Sequence, residues 1–199
     1  MRKILLFVWA CMGLVCLMSA CKTSVKSKEW KLVWVEDFDQ KNSFDESVWT
    51  KIPRGTSDWN NYMSYYDSCY AMQDGNLILR GIANHTQKND TAPYLTGGVY
   101  TKGKKLFTGG RVEVCARLQA AKGAWPAIWM LPEKAEWPKG GEIDIMERLN
   151  HDHIAYQTTH SYYTHILGIK DNPPHGGINK INPEEYNIYS RKTRKHRLM

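Results

Sequence analysis

With 199 residues, of which 42% are hydrophobic, the chain is long enough for one folded domain with a sizeable core. Its formal net charge of +7 suggests a basic protein, but Arg2 and Lys3 lie at the N-terminus and Arg191, Lys192, Arg194, Lys195 and Arg197 lie within 191–199. Setting those seven aside leaves 20 basic residues against 20 acidic ones. The body is therefore neutral, which excludes a nucleic-acid partner for want of a basic face to neutralise phosphates and disfavours a strongly anionic substrate.

In chain order, Met1-Arg2-Lys3 is a short basic start, Ile4 to Ala20 is an uncharged apolar run, and Ser19-Ala20-Cys21 closes it with small residues before a cysteine. That pattern reads as an export signal over 1–20. As a membrane anchor the run sits at the short limit for a bilayer, and no charged cluster follows it. Met18-Ser19-Ala20-Cys21 also fits a bacterial lipobox, which makes Cys21 the expected lipidated first residue of the mature protein. The chain is thus expected outside the cytoplasm, anchored by lipid to the periplasmic face or the cell surface, or secreted. Residues 21–29 are polar, as a tether would be.

From Trp30 the pattern is of short strands between turn signals. Lys31 to Glu36, Ser64 to Met72, Asn76 to Ile82 and Gly97 to Tyr100 are rich in Val, Ile, Leu and Tyr and bounded by Gly, Asp or Asn. Asp74-Gly75 signals a hairpin between two of them. In Arg111 to Leu118, Val112, Val114, Ala116 and Leu118 alternate with Arg111, Glu113, Cys115 and Arg117, so one face is buried and the other wet. Asn84 to Pro93 and Ile169 to Pro183 read as polar loops, and beyond the signal no segment carries apolar residues at helical spacing over ten positions. The pattern predicts an all-β sandwich or barrel over 30–190. Of five cysteines, Cys11 and Cys16 belong to the signal and Cys21 to the lipobox. Cys69 and Cys115 either pair or pack as free thiols, and no cysteine or histidine cluster has metal-ligand spacing.

Gly140-Gly141-Glu142-Ile143-Asp144-Ile145-Met146-Glu147 carries the chemistry. On a regular strand Glu142 and Asp144 share a face, while Glu147 is out of phase by one. A bulge at Ile145-Met146 restores the phase and projects three acids from one face. Four strand steps of about 13 Å between the glutamate Cα atoms, less the reach of both side chains, bring the carboxyls to about 5 Å, the separation of a retaining glycosidase. Acids so close cannot all ionise freely. Taken alone, the segment is read equally well as a solvated acidic strand face; its spacing is not that of an EF-hand calcium loop.

Trp125-Pro126-Ala127-Ile128-Trp129-Met130-Leu131-Pro132, the acid motif and Thr159-His160 together resemble glycoside hydrolase family 16, the laminarinase and lichenase-type β-glucanases. Weaker similarity extends through Gly97-Gly98-Val99, Gly109 to Glu113 and Glu36-Asp37-Phe38. The resemblance implies a jelly-roll β-sandwich with a sugar-binding cleft on its concave sheet. It implies Glu142 as nucleophile, Glu147 as general acid/base and Asp144 as the partner that holds the nucleophile. Trp125 and Trp129, four apart on an expected strand, are core candidates by themselves and cleft residues in the family context. Trp59 and Asn60 are expected to line the same cleft, and His160 to contact substrate or nucleophile.

The implied activity is endo-acting hydrolysis of β-1,3 or mixed β-1,3/1,4-glucan with retention, by a monomer needing neither cofactor nor metal. A red-algal galactan such as porphyran or agar is the alternative substrate, and a sugar-binding module or an inactive fragment the alternative class. Strand-like sequence fails after Asn187-Ile188-Tyr189, and 191–199 reads as an atypical basic tail. A truncated or frame-shifted chain with unpaired sheet edges is the resulting expectation.

Overall fold

The computed structural model describes residues 30–40, 42–170 and 174–193. The signal, Cys21 and the tether lie outside them. Residues 30–36, the described part of an N-terminal unit Met1–Glu36, carry no strand, which corrects the expectation for Lys31 to Glu36. The compact domain begins at Asp37.

Its strands are β1 (Thr50–Lys51), β2 (Tyr70–Gln73), β3 (Asn76–Leu79), β4 (Gly81–Ala83), β5 (Tyr94–Thr96), β6 (Val99–Tyr100), β7 (Gly110–Ala116), β8 (Ala127–Met130), β9 (Glu142–Glu147), β10 (Ile154–His160), β11 (Gly176–Lys180) and β12 (Asn187–Thr193). A single α-helical turn, α1 (Tyr162–His165), follows β10. All named strand pairs are antiparallel, and β11, β10, β9 and β8 make a four-stranded sheet in that order. The β7–β12 pair contributes to the same core: Leu118, Ile145, Met146, Ala155 and Tyr189 form a buried cluster, with Val112, Ala116, Ile128, Met130 and Ile181 packed around it.

The local chemistry explains most of these elements. Asp74 and Gly75 both take left-handed backbone angles, with φ of 52° and 68°, and join β2 to β3 as the hairpin that the dipeptide predicts. Strand β7 alternates half-buried and exposed residues along its whole length. Asn84 to Pro93 is a loop whose tightness comes from Asn84, whose amide donates to the carbonyls of Asp90 and Ala92 at 2.8 and 2.9 Å. Gly140 and Gly141 start β9 for two different reasons. A Cβ at Gly140 would meet Pro132 at 2.4 Å, and Gly141 sits at φ +78°.

Other expectations are corrected. Ser64 to Met72 is strand only from Tyr70, because Asp67–Cys69 forms a 3-10 turn. The Ile169 to Pro183 region contains β11, an edge strand whose residues are all exposed. Arg191, Lys192 and Thr193 are not a patternless tail, since they extend β12 in register against Val112, Arg111 and Gly110. Cys69 is buried and Cys115 exposed, and both are free thiols.

Candidate active site

Strand β9 holds the three acids, and its pairing departs from regularity at one residue. Against β8, Met146 faces Ile128 and Asp144 faces Trp129, leaving Ile145 without an opposite number. Against β10, the four steps from Ile143 to Glu147 match three steps from Thr159 to Tyr156. The extra residue is a β-bulge, and it turns two consecutive side chains, Ile145 and Met146, into the core with 1% and 0% exposure. Glu147, paired with Tyr156, therefore returns to the face that carries Glu142, paired with His160, and Asp144. The spacing predicts this bulge, and the structure has it.

Asp144 is 3% exposed, whereas Glu142 and Glu147 are half-buried. The Nε2 atom of His160 lies 3.2 Å from Oδ2 of Asp144, and that oxygen has no well-aligned hydrogen-bond donor. Burial, then the negative charges of Glu147 and Glu142, push the Asp144 carboxyl up to about 7, with Arg191 pulling in the opposite direction. One oxygen each of Asp144 and Glu147 and a ring nitrogen of His160 lie within 4.8 Å of one another, and this is the one group among the described residues close enough to share a cation.

Each glutamate accepts an indole N–H. Trp125 donates to Oε1 of Glu147 at 2.8 Å, and Trp137 donates to Oε2 of Glu142 at 2.7 Å. Trp125 lies just before β8, where the antiparallel pairing continues, because the Arg148 N–H donates to the Pro126 carbonyl and the Asn150 N–H to the Ala124 carbonyl at 3.0 and 2.9 Å, so Trp125 keeps the face of Trp129 as strand alternation predicts. Trp129 pairs with Asp144, and the ring of Trp59 meets it edge-on at 5.2 Å. Asn60 follows Trp59 in the chain, and its Oδ1 accepts the backbone N–H of Ser57 at 3.1 Å.

Trp137 is absent from the sequence-derived site. It lies on the loop between β8 and β9, five residues before Glu142, and its only advance signal is an aromatic residue close to the acid motif. Its ring meets His165 of α1 at 4.5 Å, and His165 in turn lies 6.2 Å from His160. A capping box fixes α1 beside the site, because the Ser161 hydroxyl accepts from the Thr164 N–H while the Ser161 N–H donates to the Thr164 hydroxyl. Arg148, next to Glu147, is 4% exposed and donates to the carbonyls of Leu118 and Asp152, tying the end of β9 to the neighbouring loops.

Residues 70–190, more than half the chain, match the family model described as XgeA-like, catalytic GH16 domain. A keratan-sulfate endo-1,4-β-galactosidase of Sphingobacterium multivorum is 42% identical over 70% of this chain and 34% of its own length. A β-glucanase of Rhodothermus marinus is 34% identical over 77% of this chain and 56% of its own. The chain thus spans between about a third and just over half of these relatives. The laminarinase catalytic domain of Thermotoga maritima superposes with a TM-score of 0.70 at 28% identity, covering 84% of this chain and 72% of that domain.

The Asp144 carboxyl makes folding stability depend on pH in a stated direction. Its folded-state value lies above the ordinary one, so its stabilising contribution is complete below about pH 4 and is lost as pH rises through 7. The full loss is on the order of 4 kcal/mol at most. Denaturant titrations at pH 5 and pH 8.5 are expected to show a smaller drop in stability for Asp144→Asn than for the unmodified chain. Equal drops in the two proteins would contradict the protonated, buried aspartate.

The acid-bearing bulged strand, the two indole-capped glutamates and the jelly-roll β-sandwich that carries them lead, with the family match, to one assignment: the chain belongs to glycoside hydrolase family 16.

Proposed function

We propose that the chain is a retaining endo-glycosidase in which Glu142 is the nucleophile and Glu147 the general acid/base. The observation that carries this reading is the bulge, which places both glutamates on one face of β9 with Asp144 between them. With Trp137 on Oε2 of Glu142, the other oxygen is left to attack the anomeric carbon. As that bond forms, the glycosidic C–O bond breaks and Glu147 gives its proton to the leaving oxygen. Trp125 occupies only Oε1 of Glu147, so Oε2 is available for that transfer. Glu147 then takes a proton from water, which attacks the glycosyl-enzyme and releases Glu142 as carboxylate. Asp144 keeps the cluster from carrying three full charges and stands beside His160 as a buried support for the nucleophile.

Two substrate readings have specific support. A β-1,3 or mixed β-1,3/1,4-glucan agrees with the glucanase relative and with the similarity to a laminarinase, and suits a body without net charge. A β-1,4-galactosidic linkage is favoured by the 42% identity to the keratan-sulfate endo-galactosidase, a higher identity than that to the glucanase. Trp59, Trp125 and Trp129 supply flat apolar faces for either sugar. For location, we propose export as a lipoprotein with Cys21 as the lipid-bearing residue, and a monomeric state.

Laminarin, barley β-glucan, keratan sulfate, agarose and porphyran, each followed by the appearance of reducing ends, separate the substrate readings. Product is expected from one class, with Glu142→Gln lowering kcat by about a thousandfold or more and Glu147→Gln by about 10²–10⁴-fold. No product on any of the five from a folded sample would overturn the enzymatic reading. In cells, Cys21→Ala is expected to move the protein from the membrane fraction to the soluble one; unchanged fractionation would refute the lipid anchor.

A further inference from the structure

A bulge leaves a backbone group without its ladder partner, and here the residue concerned is deeply buried. Ile145 has no opposite number on β8, and at 1% exposure its carbonyl has no access to bulk water. Leaving such an acceptor unpaired costs about 1–3 kcal/mol, enough to favour a regular strand over a bulged one. The partner comes from β10. The side-chain amide of Gln157 donates from Nε2 to the Ile145 carbonyl at 2.8 Å. The other end of that amide is also held, because Asn179 on β11 donates from Nδ2 to Oε1 of Gln157 at 2.9 Å. The two hydrogen bonds agree on the orientation of the Gln157 amide, since a carbonyl requires its NH₂ and the Asn179 NH₂ requires its oxygen.

We propose that Gln157, steadied by Asn179, is a positioning residue for hydrolysis: it holds the bulge at Ile145 and thereby keeps Glu147 on the same face as Glu142. This inference rests on the proposed roles of the two glutamates. Gln157 shares the face of β10 that carries Ala155, whereas His160 and Tyr156 share the other, so it acts through the backbone of β9 and not through substrate. The alternative to the bulge is a regular ladder. A one-residue slip reverses every side chain beyond it, which would send Glu147 towards the core and a core residue towards the sugar. Even a partial relaxation matters, because a misplacement of about 1 Å at a reacting group costs about a hundredfold in rate.

Gln157→Leu keeps the bulk and removes the donor. In the full chain it is expected to lower kcat by about 10–100-fold on the substrate that the unmodified chain cleaves, with KM unchanged within about twofold, because the residues facing substrate are untouched. Asn179→Ala, on the exposed edge strand, is expected to give a smaller fall in kcat, about threefold, in the same direction, and serves where Gln157→Leu fails to fold. A crystal structure of the Gln157→Leu variant is expected to show Ile145 drawn into regular pairing with β8. Unchanged kcat in both variants, or a fall in kcat with the bulge intact, would overturn the inference. Should the unmodified chain cleave none of the substrates, the proposed function fails, and the register of β9 in the Gln157→Leu variant still decides whether Gln157 holds the bulge.

Discussion

The architecture of the site depends on a single extra residue in β9. Because side chains alternate along a strand, two glutamates five positions apart belong on opposite faces, and a sandwich would bury one of them in its core. The bulge at Ile145 removes that conflict by giving two successive apolar residues to the core and returning Glu147 to the face that carries Glu142 and Asp144. The cost is a backbone carbonyl without its ladder partner in the middle of a buried sheet. That cost is offset by Gln157 from one neighbouring strand and by the packing of Ile145 and Met146 against Ala155 and Tyr189.

Charge is the second constraint. Three carboxyl groups on one short strand repel one another, and the most buried of them is the one that keeps its proton into the neutral range. The glutamates are less buried, and each has an indole N–H on one oxygen, which leaves the second oxygen open. Arg191 adds a distant positive charge through β12, where it also donates to the Thr159 hydroxyl at 2.8 Å. The acid pushed furthest towards its protonated form is thus the one that forms no bond to sugar in the proposed reaction.

Much of this is legible in the residues, and what is not has physical causes. The acid motif, its bulge, the Asp74-Gly75 hairpin and the alternation along β7 all follow from strand periodicity and turn chemistry, which are local. The shared face of Trp125 and Trp129 also follows from periodicity, because the pairing of β8 with β9 runs on through Pro126 and Ala124, and the indole of Trp125 reaches Glu147 from there. Strand β11 is hidden by its paired glycines and nearby prolines, and the extension of β12 by a run of basic residues, since edge positions tolerate what core strands do not. Trp137 and Gln157 act between separate elements, and periodicity does not encode such pairings.

The stereochemistry of the first product tests the central claim most directly. If the bulge sets Glu142 and Glu147 at the separation of a double displacement, the sugar released at the new reducing end forms with its original β configuration and only later mutarotates. Proton NMR of the anomeric signals during the first minutes of hydrolysis is predicted to show the β anomer appearing first. Initial appearance of the α anomer would mean a single displacement with water between the carboxyls, and would contradict the placement of the two glutamates described above.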